Sequence, residues 1–144
     1  MHRISLRAFL STGTFGVPED MSAVAKKHAG PLIWKYGDVE FHFENEALWL
    51  IHIDSFTGED FAPSGGRRLE LDPWFVSDGA PLRTIAEELS VAGLGPRTVV
   101  EPHFDRILIV LPAGIELGFS GTDPAQAALA FISCVRQPTD LEGR

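Results

Sequence analysis

Residues 32–56 read LIWKYGDVEFHFENEALWLIHIDSF, and this stretch decides the fold. It is rich in the aromatic and β-branched residues that suit a pleated surface, and it breaks into three strands, 32–36, 39–44 and 47–56. Glycine at the first central position of Gly37-Asp38 supplies the positive φ of a two-residue type II′ hairpin, and Asn45-Glu46 forms a second tight turn. Pairing Tyr36 with Val39 and Glu44 with Ala47 collects Leu32, Trp34, Tyr36, Val39, Phe41, Phe43, Leu48, Leu50 and His52 on a core face. The reverse face then carries Ile33, Lys35, Glu40, His42, Glu44, Trp49, Ile51 and Ile53, with Lys35 opposite Glu40 as a cross-strand ion pair. Trp49, Ile51 and Ile53 would need cover from a terminal segment, the second half of the chain or a partner.

Upstream, Leu6, Phe9 and Leu10 share one helical face, with Ser5 as N-cap, and predict a helix over 5–12 that ends near Gly13. Gly16 and Pro18 break the chain, and 19–27 read as a second helical turn or an irregular descent into the first strand. Downstream, 57–79 form a linker rich in glycine, proline and charge, with an island at 68–72 that suits one more short strand; connections of this length tend to be functional or mobile. Ser77-Asp78 is the expected cap of a second helix with Pro81 in its first turn. Leu82, Ile85, Ala86 and Leu89 give it a helical period until Gly93. A second meander follows at 106–111, 115–120 and 128–135, with Ile107, Ile109, Leu111, Ile115, Leu117 and Phe119 on one face. The tail, 137–144, is polar and expected to fray.

The order of parts repeats. A short helix, a Gly/Pro break and a β-meander occur in 1–56 and again in 80–136. Val39-Glu40-Phe41-His42-Phe43 matches Ile115-Glu116-Leu117-Gly118-Phe119, and Ala47-Leu48-Trp49-Leu50-Ile51 matches Ala128-Leu129-Ala130-Phe131-Ile132. The expected fold is therefore α+β: two tandem helix-plus-antiparallel-β-meander repeats sharing one compact domain, since one such unit alone is a marginal core. The helix, Gly16-Val17-Pro18, and Trp34-Lys35-Tyr36 entering a meander resemble the repeat of the β-lactamase inhibitor protein and of the small outer-membrane assembly lipoproteins related to it. That resemblance covers most of 5–56 and, more faintly, 80–135. It implies antiparallel sheets and, in the tandem-repeat member, a non-catalytic inhibitor acting through its sheet surface and loops. The lipidation cysteine of the lipoproteins and the paired cysteines of the secreted inhibitor are missing. The phrasing of 35–43 and 48–56 also looks like small bacterial proteins of the kind that serve as immunity partners of toxins.

Composition narrows the chemistry. The 144 residues carry 20 acidic against 12 basic side chains, a net charge of −8, which argues against nucleic acid because phosphate neutralisation needs clustered cations. A lone cysteine, Cys134, excludes an internal disulfide, fits a reducing compartment and reads as a small buried hydrophobe. No apolar run reaches the ~20 residues of a membrane span, and the start of the chain has no secretory leader pattern, so a cytoplasmic protein is expected. Nucleophile-elbow, phosphate-loop and dinucleotide signatures are absent. Ser64-Gly65-Gly66-Arg67-Arg68 reads as a surface loop. With His42 and His52 on opposite faces, no three convergent metal ligands form, and neither a metal nor another cofactor is expected.

The expected function is a non-catalytic protein-binding module, an immunity protein or inhibitor of a basic toxin or enzyme. Its expected surface is Glu40, His42, Trp49 and Ile51 on the mixed sheet face, with Asp54, Phe56, Glu59, Asp60, Phe61 and Trp74 from the end of the third strand and the linker. Acidic charge would steer the partner and aromatic side chains would hold it. Two alternatives are a homo-oligomer that buries the mixed face between identical subunits, and a small-molecule-binding or enzymatic domain using a cleft near His52 and Asp54.

Overall fold

A computed structural model describes residues 2–15, 32–36, 38–44, 47–56 and 69–135. Helix α1 (Leu6–Thr12) starts where Ser5, in extended conformation, lets its Oγ accept from the Ala8 N–H at 3.1 Å. It stops at Gly13, whose φ of 79° suits the left-handed residue after a helix and whose N–H donates to the Phe9 carbonyl at 2.7 Å. A Cβ at Gly13 would lie 2.9 Å from the Ala113 carbonyl oxygen, so close packing on the second meander also requires glycine. Leu6, Phe9 and Leu10 are buried. Helix α2 (Leu82–Val91) buries Leu82, Ile85 and Leu89 in the same cluster. Its capping differs from expectation. Pro81 holds the N-cap position with no side-chain cap bond, and Asp78 Oδ1 instead accepts from the Phe56 N–H at 2.8 Å, tying the end of the first meander to the approach of the helix.

Strands β2 (Leu32–Tyr36), β3 (Val39–Glu44) and β4 (Ala47–Ile53) form the first meander. The second contains β6 (Arg97–Glu101), β7 (Arg106–Leu111), β8 (Ile115–Ser120) and β9 (Ala128–Val135). All seven lie in one sheet, order β2-β3-β4-β9-β8-β7-β6, and every pairing is antiparallel. The island after the linker is β5 (Leu69–Asp72), which pairs in parallel with β1 (His2–Ser5) as a separate two-stranded ladder. The fold is therefore a mostly β, α+β domain. Both helices bury into one core with the sheet face formed by Val39, Phe41, Ile51, Ile53, Ile107, Ile109, Ile115, Leu117, Phe119 and Ile132. Each such side chain removed from water stabilises the fold by roughly 1.5–3 kcal/mol. The six residues expected to share the inner face of the second meander, Ile107 to Phe119, are all buried.

The register of the first meander overturns a second expectation. The register begins as anticipated, with Tyr36 opposite Val39, Lys35 opposite Glu40 and Glu44 opposite Ala47. Between His42 and Phe43 it shifts: Phe43 faces Leu48, but His42 faces Leu50 and Phe41 faces Ile51, so Trp49 is the extra residue of a β-bulge. A bulge inverts every later side chain. Ile51 and Ile53, expected on the mixed face, are fully buried in the core, while Leu50 and His52, expected inside, point to the other side. The bulge persists because a regular ladder would bury an imidazole under the helices and expose two isoleucines.

Candidate functional site

The sheet face opposite α1 and α2 is the site, since both α-helices bury into the core on its other side. The bulge at Trp49 sets its chemistry. Glu40 and His42, two apart on β3, share this face, and the ring nitrogen Nε2 of His42 lies 3.0 Å from Glu40 Oε1, where it donates to the carboxylate. The Trp49 ring meets the His42 ring edge-on at 6.0 Å. On β4 the register places Leu50 opposite His42 and His52 opposite Glu40. His42 and His52 therefore share a face, contrary to the expectation that they lie on opposite ones. His52 Nε2 is 3.7 Å from Asp54 Oδ2, an ion-pair separation too long for a hydrogen bond.

A second group continues the site across the centre of the sheet. His52 stacks on Phe131 of β9, centroids 5.8 Å apart and planes 29° from parallel. The Arg106 guanidinium of β7 lies 5.7 Å from the centre of the Phe131 ring and 4.8 Å from that of Phe104, and its Nε donates to Glu101 Oε1 at 2.6 Å. Asp54, His52, Phe131, Arg106 and Glu101 thus form a continuous band from β4 to β6, two stacked rings at its centre and charges at both ends. The ring of Phe131 is accommodated by Gly118 beneath it: a Cβ there would sit 2.1 Å from Phe131 Cε1. Ser133, directly opposite His52, is a buried polar residue at the middle of the face.

The ten residues expected to bind a partner are not brought together. Glu40, His42, Trp49 and Asp54 belong to this face. Ile51 does not: it is in the core. Phe56 packs against the core. Trp74 also packs against the core, on the side of α1, with the Arg7 guanidinium 5.0 Å from its ring centre and Phe75 edge-on at 4.4 Å. Its φ of 57° is unusual for a bulky residue, and its N–H donates to Asp72 Oδ1 at 3.1 Å. Glu59, Asp60 and Phe61 lie outside the described residues, as does the 64–68 loop. Leu50, His52, Phe131 and Arg106 are members of the face that the regular-ladder reading did not place on it. The signal for Phe131 was Gly118 in a strand, since glycine there marks close approach by a neighbouring group.

Among the described residues, no group of three or more His, Cys, Asp or Glu side chains is placed to hold a metal ion. Among the same residues no helix is long and apolar enough to cross a membrane. Compared with protein-family models, curated proteins and solved structures, the chain finds no match.

Proposed function

We propose that the chain is a non-catalytic protein-binding module, an immunity protein or inhibitor, that uses the sheet face opposite its helices. The observation that carries this reading is the band Asp54–His52–Phe131–Arg106–Glu101, flanked by Trp49 and the half-buried Leu50. Aromatic and arginine side chains held in place by their neighbours are the groups that dominate protein interfaces, because they bury large area at small entropic cost. A net charge of −8 favours a basic partner and speeds its approach. The single cysteine suits a reducing compartment, and we place the protein in the cytoplasm, where an intracellular toxin or enzyme would be neutralised. The test is growth of cells expressing the product of the immediately upstream reading frame, alone and with this chain. Growth arrest relieved by the wild-type chain and by Arg83→Glu on the exposed side of α2, but not by Leu50→Glu/Phe131→Glu, is the expected result. Protection by the doubly substituted chain, with its fold verified by circular dichroism, would remove the face from the proposal.

We further infer that the two halves are copies of one unit. The bulge in β3/β4 falls between His42 and Phe43 with Trp49 extra, and that in β8/β9 falls between Gly118 and Phe119 with Ala130 extra, positions that the sequence repeat equates. The β4–β9 ladder maps onto itself about the His52–Ser133 pair, which is flanked by Ile51–Cys134 and Ile53–Ile132. A duplicated unit joined through its last strand has this symmetry. If Ala130 is the counterpart of Trp49, Ala130→Trp changes stability by less than about 0.5 kcal/mol; a loss like that of a core substitution argues against the equivalence.

A further inference from the structure

Strand β6 ends the seven-stranded sheet, and among the described residues no strand pairs with its outer edge. Exposed edges are normally blunted by short length, charged side chains, prolines or bulges. Strand β6 is five residues long, with a charge at each end, Arg97 and Glu101, and prolines just outside it; between the charges it has three β-branched residues in a row and no register shift against β7. Val100 is 49% exposed, although cross-strand from buried Ile107, and Thr98 is exposed beside it.

The order of residues in this edge is self-complementary. Laid antiparallel against itself about Val99, the segment 96–102, PRTVVEP, puts Val99 opposite its own mate, Thr98 opposite Val100, Arg97 opposite Glu101 and Pro96 opposite Pro102. Arg97 and Glu101 lie on the same face of the strand, so each copy's cation meets the other's carboxylate. Glu101 already accepts from Arg106, which holds its carboxylate at the edge with acceptor capacity to spare, and among the described residues Arg97 has no ion-pair partner. A slip of two residues puts a proline, which lacks an N–H, into the ladder, and a parallel arrangement sets arginine against arginine.

We propose that β6 pairs antiparallel with the β6 of a second copy of this chain, making a two-fold symmetric dimer with one sheet running through both copies. The pairing shares only the edge residue Glu101 with the band discussed above and leaves His52 and Phe131 uncovered in each copy. Analytical ultracentrifugation over a concentration series is expected to show reversible dimerisation that weakens with salt. Arg97→Glu and Glu101→Arg each convert two attractive cross-strand pairs to repulsive ones and weaken the dimer at least about tenfold. Mixing the two variants restores both pairs and hence the dimer, which a merely misfolded variant would not do. Val99→Cys, adjacent to its own mate, forms an intermolecular disulfide on mild oxidation, whereas Thr98→Cys forms far less. A wild-type chain that stays monomeric at every concentration overturns the proposal. So does a dimer that Arg97→Glu leaves intact, a mixture that fails to associate, or equal cross-linking at 98 and 99.

Discussion

Replacing Gly118 by alanine probes the centre of the sheet face. The added Cβ would stand 2.1 Å from Cε1, 2.3 Å from Cζ and 2.7 Å from Cδ1 of Phe131, whereas carbon atoms prefer roughly 3.5–4.0 Å, so the ring must retreat by more than about 1 Å. No backbone strain contributes, because Gly118 is not among the glycines with positive φ. Moving the ring off its rotamer costs about 0.5–1.5 kcal/mol, and losing its packing with His52 costs about 0.5–1.5 kcal/mol more. Against this, alanine is better than glycine in a strand by roughly 0.5–1 kcal/mol. The net expectation is destabilisation of up to about 2.5 kcal/mol in the wild-type background and stabilisation of about 0.5–1 kcal/mol in Phe131→Ala, where the three obstructing ring atoms are gone. Urea denaturation of the four proteins of this double-mutant cycle gives the coupling directly, about 1–3 kcal/mol with an unchanged m-value. Gly118→Ala that stabilises both backgrounds equally would refute the placement of the ring over the glycine, and with it the His52–Phe131 stack.

The bulge makes Ile51→Ala a core deletion, expected to cost about 2–5 kcal/mol, while Leu50→Ala next to it costs under about 1.5 kcal/mol; equilibrium denaturation that gives the opposite ranking would restore the regular register. Ser5→Ala removes the N-terminal side-chain cap of α1 and is expected to cost about 1 kcal/mol, read as a lower midpoint of thermal unfolding, with Ser5→Thr retaining most of the stability. Full stability in Ser5→Ala would mean that the short helix is held by its buried face alone.

Much of this architecture is legible in the residues, and the rest fails for identifiable reasons. The β2/β3 register read from the residues, Tyr36 opposite Val39 and Lys35 opposite Glu40, is the one observed, and the strict alternation of Ile107 to Phe119 fixes the inner face of the second meander. The bulge is hidden because Leu48, Trp49, Leu50 and Ile51 are four consecutive apolar residues, which fit either face; only the cost of burying His52 distinguishes the two registers. Strand β6 is short and has just two apolar residues, and β1 has one, so neither carries a periodic signal. Asp78 resembles a helix cap in sequence, yet its carboxylate serves a backbone N–H 22 residues earlier in the chain, a long-range use that local spacing does not reveal. At the site, the local pair Glu40–His42 was readable from the i, i+2 spacing, but the band through Phe131 and Arg106 spans strands brought together by the β4–β9 junction, whose register no single segment specifies.

The account depends most on the bulge at Trp49 that turns Leu50 and His52 away from the helices. Cysteines placed singly at positions 50, 51, 52 and 53, in a Cys134→Ala background, can be titrated with a thiol reagent under native conditions. Rapid labelling at 50 and 52 with protection at 51 and 53 is the predicted pattern. Labelling at 51 and 53 with protection at 50 and 52 would contradict the register and leave the proposed binding face without its central residues.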